Sequence, residues 1–311
     1  MINEYPVIEI VEGNVTTAPR RSFDSLLVDF AAYADISRAS MKSYIVGIKR
    51  FIAYLHDNGI TAPVRQNVID FRNAVAMTAK PNTVQLYITS VKIFFKFLAQ
   101  FSLYDNIADG IKGAKIDSGF KKDYLSADQA RLLLESTQNK RDKSMIALML
   151  TSGLRTVEIA RANIGDLRVH GGKTVLYVQG KGKTSKSDFV PVSSKVEKLI
   201  RDYLAERGNV TVNDPLFCSD AHRNGGQSLT AMSVSRIVKN ALRRAGLKTD
   251  RLTAHSLRHT SATLALQAGA DFRKVSMLLR HANLKTTLIY SHDLDQASNN
   301  SADMAADSFL G

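Results

Sequence analysis

Between Asp109 and Asp123 the chain loses its apolar period: the stretch holds Gly110, Gly113, Gly119 and several lysines, and no pattern that would bury one face of a helix or strand. Such a break leaves two parts, each of which must close a core of its own. A length of 311 residues suits two domains better than one helical domain.

Ahead of the break, apolar residues recur at helical spacing. Ser22–Tyr33 carries Phe23, Leu26, Leu27 and Phe30, and Ser37–His56 carries Tyr44, Ile48, Ile52 and Leu55. Lys42, Lys49 and Arg50 lie off that second stripe, and Asn58-Gly59 stops the helix. A third helix is expected over Gln66–Met77. Pro81-Asn82 opens a long fourth, striped by Val84, Tyr87, Val91, Phe94, Phe95, Leu98 and Phe101, with Lys92 and Lys96 on its polar side. Residues 21–108 therefore read as a four-helix domain with basic outer faces, behind an irregular arm over residues 1–20.

Beyond the linker 109–123, Ser126 with Gln129 forms a capping box ahead of the apolar run Leu132–Leu134, and Ser144–Thr151 has the look of a buried helix closed by Gly153. The period switches over residues 164–192. Val175, Tyr177 and Gln179 alternate with Leu176 and Val178, and a Gly-Lys-Gly-Lys turn leads to Phe189–Val192, the pattern of a small antiparallel sheet. Helices resume at Ser194–Glu206, Ala231–Ala245, Ser256–Ala268 and Phe272–Arg280. The fold class expected is mainly α with a small antiparallel β-sheet: a four-helix domain followed by an α+β domain over residues 124–292, then a tail over 293–311.

Charge narrows the partner. Lys and Arg number 42 against 29 Asp and Glu, a net charge of +13, which favours a polyanion and most simply nucleic acid. Taken singly, each lysine of the helical domain reads as solvated surface; as a set in so basic a chain, they suit phosphate contact. Cys218 stands alone, which excludes an intrachain disulfide and a cysteine-based zinc site. The first residues carry Glu4, Glu9 and Glu12 and no basic-then-apolar run, so no signal peptide is read, and the apolar stretch Met145–Leu150 is far too short to span a bilayer. The expectation is a soluble, cytoplasmic, DNA-facing protein.

The chemistry concentrates late. Arg155 opens a helical segment, where free backbone N–H groups and a guanidinium both suit an oxyanion, and Glu158 is within reach to orient it. His255 and Arg258 share a helix face at i and i+3, so Arg258 can hold a phosphate beside Arg155 while His255 takes a proton; His259 is assigned to packing on another face. Lys181, in the hairpin turn, suits a general acid whose pKa is lowered by neighbouring cations, with Lys183 and Lys186 as competitors. His281 can hydrogen-bond a phosphate oxygen. Tyr290 is a candidate nucleophile, although a lone tyrosine in a helix is more often core. Covalent attack by a tyrosine conserves the phosphodiester energy and requires neither metal nor ATP, in keeping with a sequence that has no metal-ligand cluster and no Gly-rich phosphate loop.

With Thr-Ser-Gly-Leu-Arg155, His255-Ser-Leu-Arg258-His259 and His281 followed by Tyr290, residues 124–292 resemble the catalytic domain of the tyrosine recombinases (phage integrase/Xer), and residues 21–106 their core-binding domain. The resemblance assigns catalysis to Arg155, Lys181, His255, Arg258, His281 and Tyr290. It implies a two-domain clamp closing on double-stranded DNA, a dimer on one site, a tetrameric synapse, a 3′-phosphotyrosine intermediate and a Holliday junction. It supports DNA contact by Lys42, Lys49, Arg50, Lys92, Lys96 and Lys183. Arg280, before His281, stands where many members have Gly. The acidic tail carries Met304, Phe309 and Leu310, and Ser301–Leu310 is expected to dock on a neighbouring protomer. With no room in the first 20 residues for an arm-binding domain, a minimal recombinase is expected, most simply a mobile-element integrase or excisionase. The alternatives are an Xer-like dimer resolvase, a type IB topoisomerase or nicking enzyme, and a non-catalytic DNA-binding protein on the same scaffold.

Overall fold

The computed structural model describes residues 23–115, 123–180, 183–221, 225–247 and 251–280. The chain divides into two compact units, Met1–Gly119 and Phe120–Gly311. The expected arm over residues 1–20 and tail over 293–311 lie outside the described residues.

The first unit holds α1 (Phe23–Tyr33), α2 (Arg38–Asp57), α3 (Arg65–Thr78) and α4 (Pro81–Gln100). Local chemistry sets the boundaries. Ser37 caps α2 by accepting from the Ser40 amide at 3.2 Å, and Pro81 occupies the first turn of α4, where an amide would have no partner. α4 packs against α1, α2 and α3, so its buried surface is wider than one stripe and takes in Ile88 and Phe97 as well. Phe101, expected on that stripe, is 55% exposed because it is the C-cap, past the last turn; its ring leans on Phe97 at 5.2 Å. The core is aromatic: Phe30 meets Phe94 edge to face at 5.5 Å, and Phe51 meets Phe71 at 5.2 Å. Ala108 and Ile111 join this core. Three donors hold the following backbone: Arg65 to Asp109 O, Arg72 to Lys112 O, and Lys92 to Ile111 O. The stretch read as linker thus begins with residues fastened to the helical unit, by single contacts that leave no period in the sequence.

The second unit runs α5 (Ala127–Glu135), α6 (Lys140–Ser152), α7 (Thr156–Arg161), β1 (Leu167–His170), β2 (Lys173–Val178), β3 (Asp188–Pro191), α8 (Ser194–Arg207), α9 (Ala231–Arg244), α10 (Ala254–Gln267) and α11 (Phe272–Leu279). The capping box ahead of α5 forms in both directions: Gln129 N donates to Ser126 Oγ at 3.2 Å, and Ser126 N to Gln129 Oε1 at 3.0 Å. The sheet is antiparallel in the order β1-β2-β3, with Leu176 opposite Leu167 on one side and Val190 on the other. Gly171 and Gly172, both at positive φ, make the tight turn between β1 and β2.

α6 is the central helix, buried nearly all round, and packs against α5, α8, α9 and α10. It begins four residues before the expected Ser144. Asn139 caps it, and its first turn, Lys140–Lys143, conceals a buried ion pair between Arg141 and Asp142 at 2.7 Å. A charged first turn that buries its charges against each other is invisible to a hydrophobic pattern.

Candidate active site

The turn from α6 into α7 places the first arginine. Gly153 closes α6 in the left-handed region at φ 58°, and a Cβ on it would lie 2.5 Å from Leu279 Cδ2, so both the backbone and the packing require glycine here. Two residues on, Arg155 is the N-cap of α7. Glu158 folds back onto it: Oε2 accepts from the Arg155 amide at 2.7 Å and Oε1 from Arg155 Nη1 at 3.0 Å. Glu158 is fully buried, whereas the Arg155 side chain is 28% exposed. A buried carboxylate therefore fixes one edge of the guanidinium and leaves the rest facing out.

What Arg155 faces is an open cleft of about 430 Å³. Arg155 and Thr156 from the start of α7, Ser235 and Lys239 from α9, and Thr253 and His255 from the start of α10 line it. Three helices contribute because α7 and α10 both pack on α9. The start of α10 is held by Ser256, whose Oγ accepts from the Thr253 amide at 3.1 Å. His255, one residue into that helix, is exposed, so its imidazole reaches the cleft.

Arg258, one turn later, is 1% exposed and does not line the cleft. Its Nη1 donates to Gly153 O at 2.5 Å and its Nη2 to Leu279 O. The guanidinium thus sits at the C-terminal ends of α6 and α11, where unpaired carbonyls concentrate negative potential. It ties together the turn that leads to Arg155 and the end of α11. His259 does not point to another face. It is four residues from His255, one turn on, and its ring meets that of His255 edge-on with centroids 4.7 Å apart.

The remaining candidates divide. Lys181, His281 and Tyr290 lie outside the described residues. Lys183, expected as a DNA contact and as a competitor of Lys181, donates to Asp188 at 2.7 Å, and Lys186 is paired with Asp166. In the helical unit, Lys42, Arg50 and Lys96 are exposed and Lys49 is half-buried, while Lys92 directs its ammonium to a backbone carbonyl. Among the described residues no tyrosine lines the cleft; Tyr203, whose hydroxyl is pushed up to about 12 by burial, lies beside Cys218.

Residues 123–297 match the model of the phage integrase family. The chain belongs to that family. It is 32% identical to a tyrosine recombinase of Pseudothermotoga lettingae, over 77% of this chain and 82% of the relative. It is 30% identical to tyrosine recombinase XerD of Oceanobacillus iheyensis, over 79% and 86% respectively. In fold it resembles XerH site-specific recombinase bound to palindromic difH substrate (TM-score 0.70, 22% identity, 88% of this chain and 83% of that one). It also resembles a lambda integrase dimer bound to a COC′ core site (TM-score 0.68, 17% identity, 85% and 96%). The enzyme is a tyrosine-type, site-specific DNA recombinase, mainly helical with one small antiparallel sheet.

Two cleft residues of this recombinase escape a reading of motifs. Ser235 and Lys239 are one turn apart on α9, beside the buried stripe Val234, Val238, Ala241 and Leu242. That stripe was legible, and the face next to it follows from helical spacing; that the face opens toward Arg155 does not. Among the described residues, no helix is long and apolar enough to cross a membrane.

Proposed function

We propose that the cleft of the second unit receives the scissile phosphate of duplex DNA and that Tyr290 attacks it to give a 3′-phosphotyrosine. Arg155 and Arg258 carry the electrostatic load on the phosphate, Glu158 orients Arg155, His255 accepts the tyrosine proton, Lys181 protonates the departing 5′-oxygen, and His281 hydrogen-bonds a phosphate oxygen. The ester keeps the bond energy for religation, so strand exchange through a Holliday junction needs neither metal nor ATP. The observation that carries this reading is the pairing of Arg155 and His255 across one open cleft, with Arg155 anchored on a fully buried carboxylate. The pairing of Lys183 and Lys186 with carboxylates supports Lys181 as the acid of that turn.

For Arg258, the buried position supports a structural share in the role: it holds the Arg155 turn and the end of α11 while its charge adds to the field at the phosphate. Duplex DNA is the partner, bound by Lys42, Lys49, Arg50 and Lys96 in the helical unit and by Lys239 at the cleft. Self-association to a dimer on one site and a tetramer in the synapse accords with the assemblies in which lambda integrase has been captured, a dimer on a core site and a tetramer on a Holliday junction.

The divergent sequence of residues 1–20 and the unusual Arg280-His281 pair favour integration or excision of a mobile element. The Xer names of several relatives favour the second reading, an Xer-like resolvase of DNA dimers. One experiment addresses both levels. Protein is incubated with fragmented genomic DNA of its source and denatured in SDS, and protein-linked fragments are sequenced, with Tyr290→Phe in parallel. Linked DNA that vanishes in the variant is the expected result. Fragments mapping to element ends assign the integrase role, and fragments from a chromosomal terminus the resolvase role. Linked DNA that persists in Tyr290→Phe contradicts the assignment of the nucleophile.

A further inference from the structure

Arg280 does something a glycine could not. It closes α11 in the left-handed region at φ 52°, a conformation suited to glycine, yet it carries a long charged side chain there. That side chain is 9% exposed and turns inward. Its Nη2 donates to Glu158 Oε2 at 2.7 Å, and its Nη1 to Leu278 O at 2.7 Å. Its Nε is buried without an acceptor among the described residues. Two features that each work against the position, a strained backbone and a buried cation, are thus tolerated around one ion pair to Glu158.

Glu158 is the same carboxylate that holds Arg155, one oxygen accepting from Arg155 Nη1 and the other shared by the Arg155 amide and Arg280. With Arg155 alone, the pair would sum to zero charge, and any move of Arg155 toward a phosphate would strand a fully buried anion. With Arg280, the triad sums to one positive charge, and Glu158 keeps a charged partner when Arg155 turns outward. We propose that Arg280 is a positioning residue for DNA cleavage: it neutralises Glu158 so that Arg155 is free to turn its charge to the scissile phosphate. This rests on the reading of Arg155 as a phosphate ligand.

The test runs on the full chain with a DNA duplex recovered by covalent trapping. Single-turnover formation of the covalent complex at saturating DNA is measured alongside DNA affinity. The variants are Arg280→Met, which keeps a long side chain without charge, Arg280→Gly, which also relieves the backbone, and Arg280→Lys, which keeps the charge. Each is made alone and with Glu158→Gln. Arg155→Ala runs beside them, and thermal unfolding reports whether each variant is folded.

The expected result is a tenfold or greater loss of cleavage rate in Arg280→Met and Arg280→Gly, with affinity within twofold. Arg280→Lys should recover part of the rate. In the Glu158→Gln background the same Arg280 changes should have little further effect, since no anion remains to neutralise. Equal losses in both backgrounds, or no loss in either, overturn the proposal. So does a rate loss that follows unfolding in every variant including Arg280→Gly. If Arg155→Ala cleaves like the unaltered chain, the phosphate role of Arg155 itself fails, and the inference falls with it. A dead Arg155→Ala beside additive Arg280 effects removes the inference alone.

Discussion

The two units bury different kinds of side chain. The helical unit is filled with rings, Phe30, Phe51, Phe94 and Phe97 among them, and Ser90 is its one buried polar side chain among the described residues. The second unit is filled with aliphatic and methionine side chains, and among them it buries Arg141, Asp142, Glu158, Asp166, Arg258 and His259. Rings add area and edge-to-face contacts at no electrostatic cost, so the first unit can be a stiff platform whose charges all stay outside. Buried charges destabilise unless each is paired, so the second unit spends stability on holding charge in fixed places. In this recombinase the buried charges therefore fall in the unit that holds the Arg155 cleft.

Five substitutions would break or sharpen the contrast. Phe94→Ala should cost the most stability, about 3–5 kcal/mol in urea unfolding, while leaving the rate of covalent complex formation at saturating DNA near that of the unaltered chain; a matching collapse of that rate would mean the units do not divide the work. Arg258→Ala should lower that rate by about 10²–10³-fold with affinity little changed, measured by single-turnover gel assay, and should also cost stability, because Gly153 O and Leu279 O lose their buried donor. Gly153→Ala should destabilise by roughly 1–3 kcal/mol, because the added methyl meets Leu279 in a left-handed turn; a neutral result in thermal unfolding would show that the turn can relax. Lys239→Ala should slow cleavage by about tenfold, a loss that a merely solvated lysine would not produce. Lys96→Ala should have the smallest effect, a uniform weakening across DNA sequences and a shallower salt dependence, by about one unit of slope; an unchanged slope would return Lys96 to plain surface.

The same contrast explains what could be read without coordinates. The helices of the first unit were legible because apolar period is local: Leu26, Ile48 and Val91 mark their buried faces from residues a turn away, and all three are buried. Where the period is interrupted by charge, as in the first turn of α6, the apolar pattern starts late, although the cap at Asn139 is present in the sequence. The site was legible as residue types, since arginines, histidines and a late tyrosine in that order carry a chemical meaning. Its geometry was not. Arg258 meets the carbonyl of a residue 105 positions away, and Arg280 meets Glu158 across 122 positions, so neither burial nor the shared carboxylate leaves a local trace. Ser235 and Lys239 reach the cleft only because α9 lies between α7 and α10, which is a fact of packing.

Whether the charged cleft of the second unit directs a tyrosine to a DNA phosphate is settled by locating the bond. Covalent complexes formed by the unaltered chain are digested with nuclease and protease, and the nucleotide-bearing peptide is identified by mass spectrometry. A single modified peptide with the nucleotide on Tyr290 is expected, and its loss when Arg155 is changed to Ala. A nucleotide on another side chain, or an undiminished yield on Tyr290 without Arg155, would contradict it.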